Sequence, residues 1–351
     1  MTHLFSPFTL RGVTFRNRIG VSPMCQYSST DGFAGEWHLV HLGARAAGGV
    51  GLVIVEATAV EARGRITPHD LGIWQDDHLY GLSKIARFIQ SQGAAAGIQI
   101  AHAGRKAGTA RPWEGGKPVL LHQGGWIPVG PGDVPFNDGY YKPHALTADE
   151  VQQVCHAFVS AARRVQAAGF DVVEVHAAHG YLLHSFLSPL TNQRTDDYGG
   201  SLENRARLLL EIVRAIRAFW EKPLFVRISA TDWVEGGWTV EDSVQLGGLL
   251  RDAGVDLVDC SSGGAIPGVQ IPTAPGYQVP LAQRVREGAA VATAAVGLIT
   301  EPAQADAIIK ERQADMVLIG RAMLRDPHWA VNAAKALDQP IPFAQPYHRA
   351  Y

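Results

Sequence analysis

The sequence predicts one domain over residues 1–351 with the architecture of a parallel (β/α)8 barrel, and three observations carry that prediction. A helix-to-strand joint recurs along the chain, the buried strands number eight, and no shift in composition marks a second domain. The joint is a helix-like stretch, a small residue with glycine, and a short run rich in Val, Ile and Leu. It appears as RAAGGVGLVIVEA from Arg45, QAAGFDVVEVHAA from Gln166 and RDAGVDLVDCSSG from Arg251, with a version lacking glycine, ERQADMVLIGRA, from Glu311. Glycine just past a helix supplies the left-handed cap, and an apolar run with little alternation suits a strand covered on both faces. Such strands pair in parallel and are joined by helices.

In chain order, PFTLRGVTFRN reads first as a hairpin around Arg11 and Gly12, an N-terminal plug for the bottom of the barrel. Strand one is RIGVSP from Arg18, and strand two lies in the joint from Arg45. Strand three is AAAGIQIAHA from Ala94, strand four lies in the joint from Gln166, and strand five is PLFVRIS from Pro223. Strand six lies in the joint from Arg251, strand seven is AVATAAVG from Ala289, and strand eight lies in the joint from Glu311. An extended loop follows strand three. From Arg111 to His144 it is rich in Gly, Pro and Trp and lacks periodicity, which marks an excursion over the mouth of the fold. Thr147 with Glu150 then forms a capping-box signal, opening a helix that ends at Gly169.

With 46% hydrophobic and 18% charged residues the chain can bury a large core, and its net charge of −2 gathers neither nucleic acid nor an anionic membrane. A small-molecule partner is expected. Cys25, Cys155 and Cys260 are odd in number and far apart, as in a reducing cytoplasm rather than a disulfide scaffold. The opening MTHLFSPFTL has no basic region followed by a sustained apolar stretch, so neither signal peptide nor membrane span is expected.

The active site of such a barrel lies at the C-terminal ends of its strands. Strand one ends in Ser22-Pro23-Met24-Cys25-Gln26-Tyr27, strand two in Glu56-Ala57-Thr58, and strand three in Gln99 through His102. Strand four ends in His176-Ala177-Ala178-His179-Gly180-Tyr181, strand five in Arg227, strand six in Ser261-Ser262-Gly263-Gly264, and strands seven and eight in Gly297 and Gly320-Arg321. Loops seven and eight are the usual phosphate site of this fold, where glycine exposes backbone N–H groups and arginine adds charge. Alone, Gly320-Arg321 also fits a tight turn with a solvated arginine. Arg227 interrupts an apolar strand, so it needs either an internal carboxylate or a delocalised anion such as the N1–C2=O end of a reduced flavin.

His176 and His179 admit three readings: metal ligands, a structural pair, or two N–H donors aimed at one carbonyl oxygen. The first histidine ends a strand and the second begins a loop, without the four-residue helical spacing of HExxH, so no metal is expected. Tyr181 is then a candidate acid. Cys25 is either a small buried hydrophobe or a weak S–H donor. Gly48-Gly49-Val50-Gly51 is the nearest run to a dinucleotide fingerprint, and it lacks the later glycine.

Together, SPMCQY at Ser22, VEATAV at Val55, IQIAHAGRK at Ile98, HAAHGYLLHSFLSP at His176, NQRTDDYGGSLENRARL at Asn192, VRIS at Val226, GYQVP at Gly276 and IGRAMLRDP at Ile319 resemble the Old Yellow Enzyme flavoproteins. Within them the chain is similar to the shorter bacterial subgroup of the YqjM and xenobiotic reductase A kind. The resemblance implies an FMN-binding TIM barrel, an NAD(P)H-dependent ene-reductase acting on α,β-unsaturated carbonyl or nitro compounds in a ping-pong cycle with NADPH or NADH. It implies that Ser22, Pro23, Met24, Cys25, Ala57, Gln99, Arg227, Gly297, Gly320 and Arg321 line FMN. His176 and His179 would hold the substrate oxygen, Tyr181 would supply the proton, Cys25 would tune the flavin, and Tyr27 would contact substrate. The ending from Pro346 resembles a tail whose arginine, here Arg349, reaches the neighbouring site, which implies a homodimer or homotetramer. Two other classes remain open: a flavin-binding redox sensor with Cys25 as its switch, and a metal-dependent barrel hydrolase.

Overall fold

In the computed structural model, which describes residues 2–350, eight strands close into a barrel in chain order, each parallel to its neighbours. Strand one is Ile19–Val21, strand two Leu52–Ala59, strand three Ala95–Ala101 and strand four Val172–Ala177. Strand five is Leu224–Ser229, strand six Leu257–Ser261, strand seven Ala292–Ala295 and strand eight Met316–Ile319. Strand two runs beyond its expected end and carries an irregularity between Val55 and Thr58. Helices α1 (Glu36–Ala47), α2 (Leu79–Ser91) and α3 (Ala148–Ala168) follow strands one to three. After strand four come the short α4 (Leu182–Leu187) and the long α5 (Leu202–Arg217); α6 (Val240–Asp252), α7 (Val279–Ala289) and α8 (Pro302–Lys310) follow strands five to seven. Past strand eight lie α9 (Arg321–Arg325) and α10 (Trp329–Ala336).

The joints form for the expected reason, with one variation. Gly169 caps α3 at φ +85°, and in the joint lacking glycine Arg312 takes φ +59° itself. A side chain in that region costs about 1 kcal/mol, which the packed strand following it offsets. The capping box at α3 is complete: the Thr147 hydroxyl accepts from the Glu150 N–H at 3.3 Å and the Glu150 carboxylate accepts from the Thr147 N–H at 2.8 Å.

The hairpin pairs Phe8–Leu10 with Val13–Phe15 and does plug the barrel. Phe15 enters the lower interior among Leu52, Ile54, Val172, Phe225, Leu257, Met316 and Leu318. Because side chains alternate across a strand, the same interior face continues upward as Val172-Glu174-His176, Phe225-Arg227-Ser229 and Leu257-Asp259-Ser261. A polar tier therefore sits above an apolar one. The extended loop contains short 3-10 turns at Pro112–Glu114 and Leu121–Gln123, and Val129–Gly130 pairs with His144–Ala145. It reaches the mouth, since Trp113 meets the Tyr27 ring edge-on with centroids 5.8 Å apart. No helix among the described residues is long and apolar enough to cross a membrane.

Candidate active site

The end of strand four supplies the most constrained group. His176 is buried, and its Nδ1 accepts the Ala178 N–H at 3.1 Å, so the proton of the neutral ring sits on Nε2. That nitrogen lies 3.3 Å from His179 Nδ1, and His179 Nε2 lies 2.7 Å from the Ser261 hydroxyl. His179 has φ +60°, with its N–H on Ser229 Oγ at 2.9 Å and its carbonyl accepting from Lys106 Nζ at 2.8 Å. The following glycine is obligatory: a Cβ on Gly180 would stand 2.0 Å from the Gly264 carbonyl oxygen. The Gly180 N–H is bonded to His184 Nδ1 at 2.8 Å, and His184 Nε2 faces Asp232 at 3.1 Å.

Burial, with Arg227 and Lys106 nearby, holds both His176 and His179 well below the ordinary imidazole value, so both are neutral. Tyr181 caps α4, 5.0 Å from the His176 ring and 6.5 Å from the His179 ring between centroids. Burial, then the neighbouring Cys25 and Tyr27, pushes its phenol well up, so it carries its proton. Lys106 Nζ lies 5.2 Å over the Tyr181 ring and 4.4 Å over that of Phe136, and burial lowers it to about 8.

The floor of the site is the polar tier. Gln99 donates to Glu174 at 2.7 Å, and Arg227 Nε lies 3.0 Å from Asp259 on the adjacent strand. Of the two partners the sequence left open for Arg227, the internal carboxylate is present, but the pair does not make a hydrogen bond. Arg227 Nε, Glu174 Oε2 and both Asp259 oxygens are left without hydrogen-bond partners among the described residues. Burial pushes both carboxyls up, with repulsion from Asp259 adding to the rise at Glu174, and Arg227 pulls both back.

At the opposite wall, Gly297 and Leu298 after strand seven and Gly320 and Arg321 after strand eight line a cavity of about 170 Å3 together with Arg325. The Ser22 N–H bonded to the Ile319 carbonyl at 3.1 Å brings the end of strand one alongside, and Met24 Sδ approaches Gly320. Ala57 lines a smaller cavity with Tyr181, Asp70 and Ala101. Burial, then Asp70 and Glu56, pushes the Cys25 thiol well up, and burial beside Cys25 pushes up the Tyr27 phenol.

The structure thus gathers Ser22, Pro23, Met24, Cys25, Tyr27, Ala57, Gln99, His176, His179, Tyr181, Arg227, Gly297, Gly320 and Arg321 around the barrel mouth. Arg349 is apart from them, exposed in the tail, and Tyr351 lies outside the described residues. Sequence reasoning named Ser261 only as the end of strand six and gave no role to Lys106, Glu174 and Asp259. Glu174 and Asp259 carry the signal that singled out Arg227, a charge inside an apolar strand.

These features suit FMN: glycine turns with two arginines for its phosphate, and an arginine whose Nε, though ion-paired, has no hydrogen-bond partner among the described residues, for an electron-rich ring edge. The comparisons agree. The model of the NADH:flavin oxidoreductase / NADH oxidase family matches residues 3–339. The NADPH dehydrogenase of Bacillus cytotoxicus is 49% identical over 351 residues, covering 99% of this chain and 97% of that protein. That of Halalkalibacterium halodurans is 48% identical over 350 residues, covering 99% and 98%. Among solved structures, morphinone reductase superposes with a TM-score of 0.80 at 27% identity, covering 97% of this chain and 91% of that one. A 2-naphthoyl-CoA reductase superposes with a TM-score of 0.86 at 30% identity, covering 96% of this chain and 52% of that one. The chain belongs to the NADH:flavin oxidoreductase / NADH oxidase family, the Old Yellow Enzymes, and is an NAD(P)H-dependent oxidoreductase that uses FMN.

Proposed function

We propose that the protein reduces the activated double bond of α,β-unsaturated carbonyl or nitro compounds, alternating with NADPH or NADH in one site. The observation that carries this reading is a protonated phenol, Tyr181, beside two neutral imidazoles at the end of strand four. When bound and reduced, FMN would supply the hydride for the β-carbon of the substrate. His176 and His179 hold the substrate oxygen and stabilise the charge that gathers on it, and their neutrality makes them donors that keep their protons. Tyr181 delivers a proton to the α-carbon and completes the saturated product. Arg227 places its cation below, Tyr27 and Trp113 cover the substrate from the mouth, and Cys25 donates a weak S–H bond that tunes the cofactor.

A redox sensor switched at Cys25 has less support, because such a switch needs an accessible thiolate and this thiol is pushed well up. A metal-dependent hydrolase has less support too: His176 Nδ1 holds a backbone N–H, and the facing nitrogens pair with each other and with Ser261. Assembly as a homodimer or homotetramer, with Arg349 entering the neighbouring site, belongs to the same proposal. The test is anaerobic reduction of the purified yellow protein by NADPH followed by 2-cyclohexenone. Bleaching by the first and recovery of the oxidised spectrum by the second are expected; reduction without recovery would refute the alkene chemistry.

A further inference from the structure

We infer that Ser261 is a positioning residue that sets which nitrogen of His179 carries its proton, and so whether the histidine pair can bind an oxygen. The inference rests on the proposed oxygen-binding role of that pair. As the chain stands, the contacts form one directed series: Ala178 N–H to His176 Nδ1, His176 Nε2–H to His179 Nδ1 at 3.3 Å, and His179 Nε2–H to Ser261 Oγ at 2.7 Å. In this series His179 Nδ1 is an acceptor. It cannot then donate to a substrate oxygen.

A carbonyl or phenolate oxygen shared by the pair requires donors from both rings. His176 already presents Nε2–H, because the backbone N–H of Ala178 occupies its other nitrogen. His179 must therefore carry its proton on Nδ1, which leaves Nε2 an acceptor. The point from which the ring hangs is fixed. Its backbone is held by Ser229 at the N–H and by Lys106 at the carbonyl, and Gly264 packs so closely that a Cβ there would stand 2.7 Å from His179 Cα.

With the ring where it stands, the needed change is one of proton placement, and Ser261 suits both placements. Its hydroxyl accepts from Nε2–H in the resting series and, after rotating about its C–O bond, donates to bare Nε2 when an oxygen lies between the rings. In the exchange one proton leaves Nε2 and one arrives at Nδ1 by way of water, so the ring is neutral before and after. Ser261 is buried at the end of strand six, and among the described residues its hydroxyl has His179 as its hydrogen-bond partner. Without it, the donor–donor arrangement would leave a polar nitrogen without a partner, at about tenfold in affinity.

The experiment uses FMN-loaded protein with 15N-labelled histidine, the His179 signals being assigned through His179→Asn, and 4-chlorophenol as the oxygen ligand. The expected result is that Nδ1 of His179 changes from an unprotonated to a protonated shift on binding, while Nε2 does the reverse. Ser261→Ala should weaken 4-chlorophenol about tenfold with FMN content unchanged, and Ser261→Thr should restore it. An unchanged tautomer in the wild-type protein, or full affinity in Ser261→Ala, would overturn the inference. His176→Ala separates the two levels. If it weakens the phenol while Ser261→Ala does not, the tautomer role alone fails; if neither does, the histidine site itself fails.

Discussion

The lower and upper tiers of the barrel interior are built by the same strands, yet they obey different rules. Below, Leu52, Val172, Phe225 and Leu257 close on Phe15 of the plug in a wholly apolar packing. Two residues further along, strands four to six place Glu174, Arg227 and Asp259 in an equally dry setting, with several polar atoms left without hydrogen-bond partners among the described residues. The lower tier satisfies itself. The upper tier does not, and the positive φ of His179 belongs to that tier. Stability is concentrated below and chemistry above, with one residue of alternation between them.

Substitutions in the two tiers should therefore separate stability from activity. The largest effect is expected above: Tyr181→Phe should slow reoxidation of the reduced protein by 2-cyclohexenone by about 10^2-fold or more, with NADPH reduction and thermal midpoint near wild type. Stopped-flow absorbance reads both half-reactions. Below, Phe225→Ala should cost about 3–5 kcal/mol of stability in denaturant titration, with turnover per folded molecule largely kept. A matching loss of turnover would blur the division.

A smaller effect tests the dryness of the upper rim. Burial pushes the Glu56 carboxyl up to about 8, so between its ordinary 4.5 and that value the folded state holds a proton that the unfolded chain releases. Stability from this group is therefore present at acid pH and lost as pH rises through that window, with a slope of up to about 1.4 kcal/mol per pH unit. Glu56→Gln should remove that slope from a series of denaturant titrations against pH. The smallest expected effect is at the tail. Removing residues 349–351 should weaken enone binding by a few-fold, about 1 kcal/mol at a solvent-exposed arginine, and leave FMN bound. Unchanged steady-state kinetics and assembly would count against a shared site.

The lower tier and the connections were legible in the sequence because burial on both faces writes continuous Val, Ile and Leu, and because helix ends carry their caps. RDAGVDLVDCSSG gives the last residues of α6, its joint and strand six almost residue by residue. The upper tier was legible only as a set of strand ends. That His179 Nε2 lies against Ser261 depends on the register of strands four to six, eighty-two residues apart in sequence, and no local pattern encodes it. Lys106 was hidden for a different reason. It follows strand three through a 3-10 turn at Gly104–Lys106, where a lysine reads as a solvated loop charge, whereas here its amine is bonded to the carbonyls of His179 and Gly264. Arg312 shows the converse, a conformation that the sequence pattern assigned to glycine and that a neighbouring strand imposes on arginine.

The central claim is that the end of strand four is an oxygen site facing FMN. It is tested most directly by the long-wavelength charge-transfer band that a phenol gives with the oxidised protein, measured in the wild type and in His176→Ala with His179→Ala. Loss of the band in the double variant, with FMN still bound, is the predicted result; a band of unchanged intensity and affinity would contradict the account.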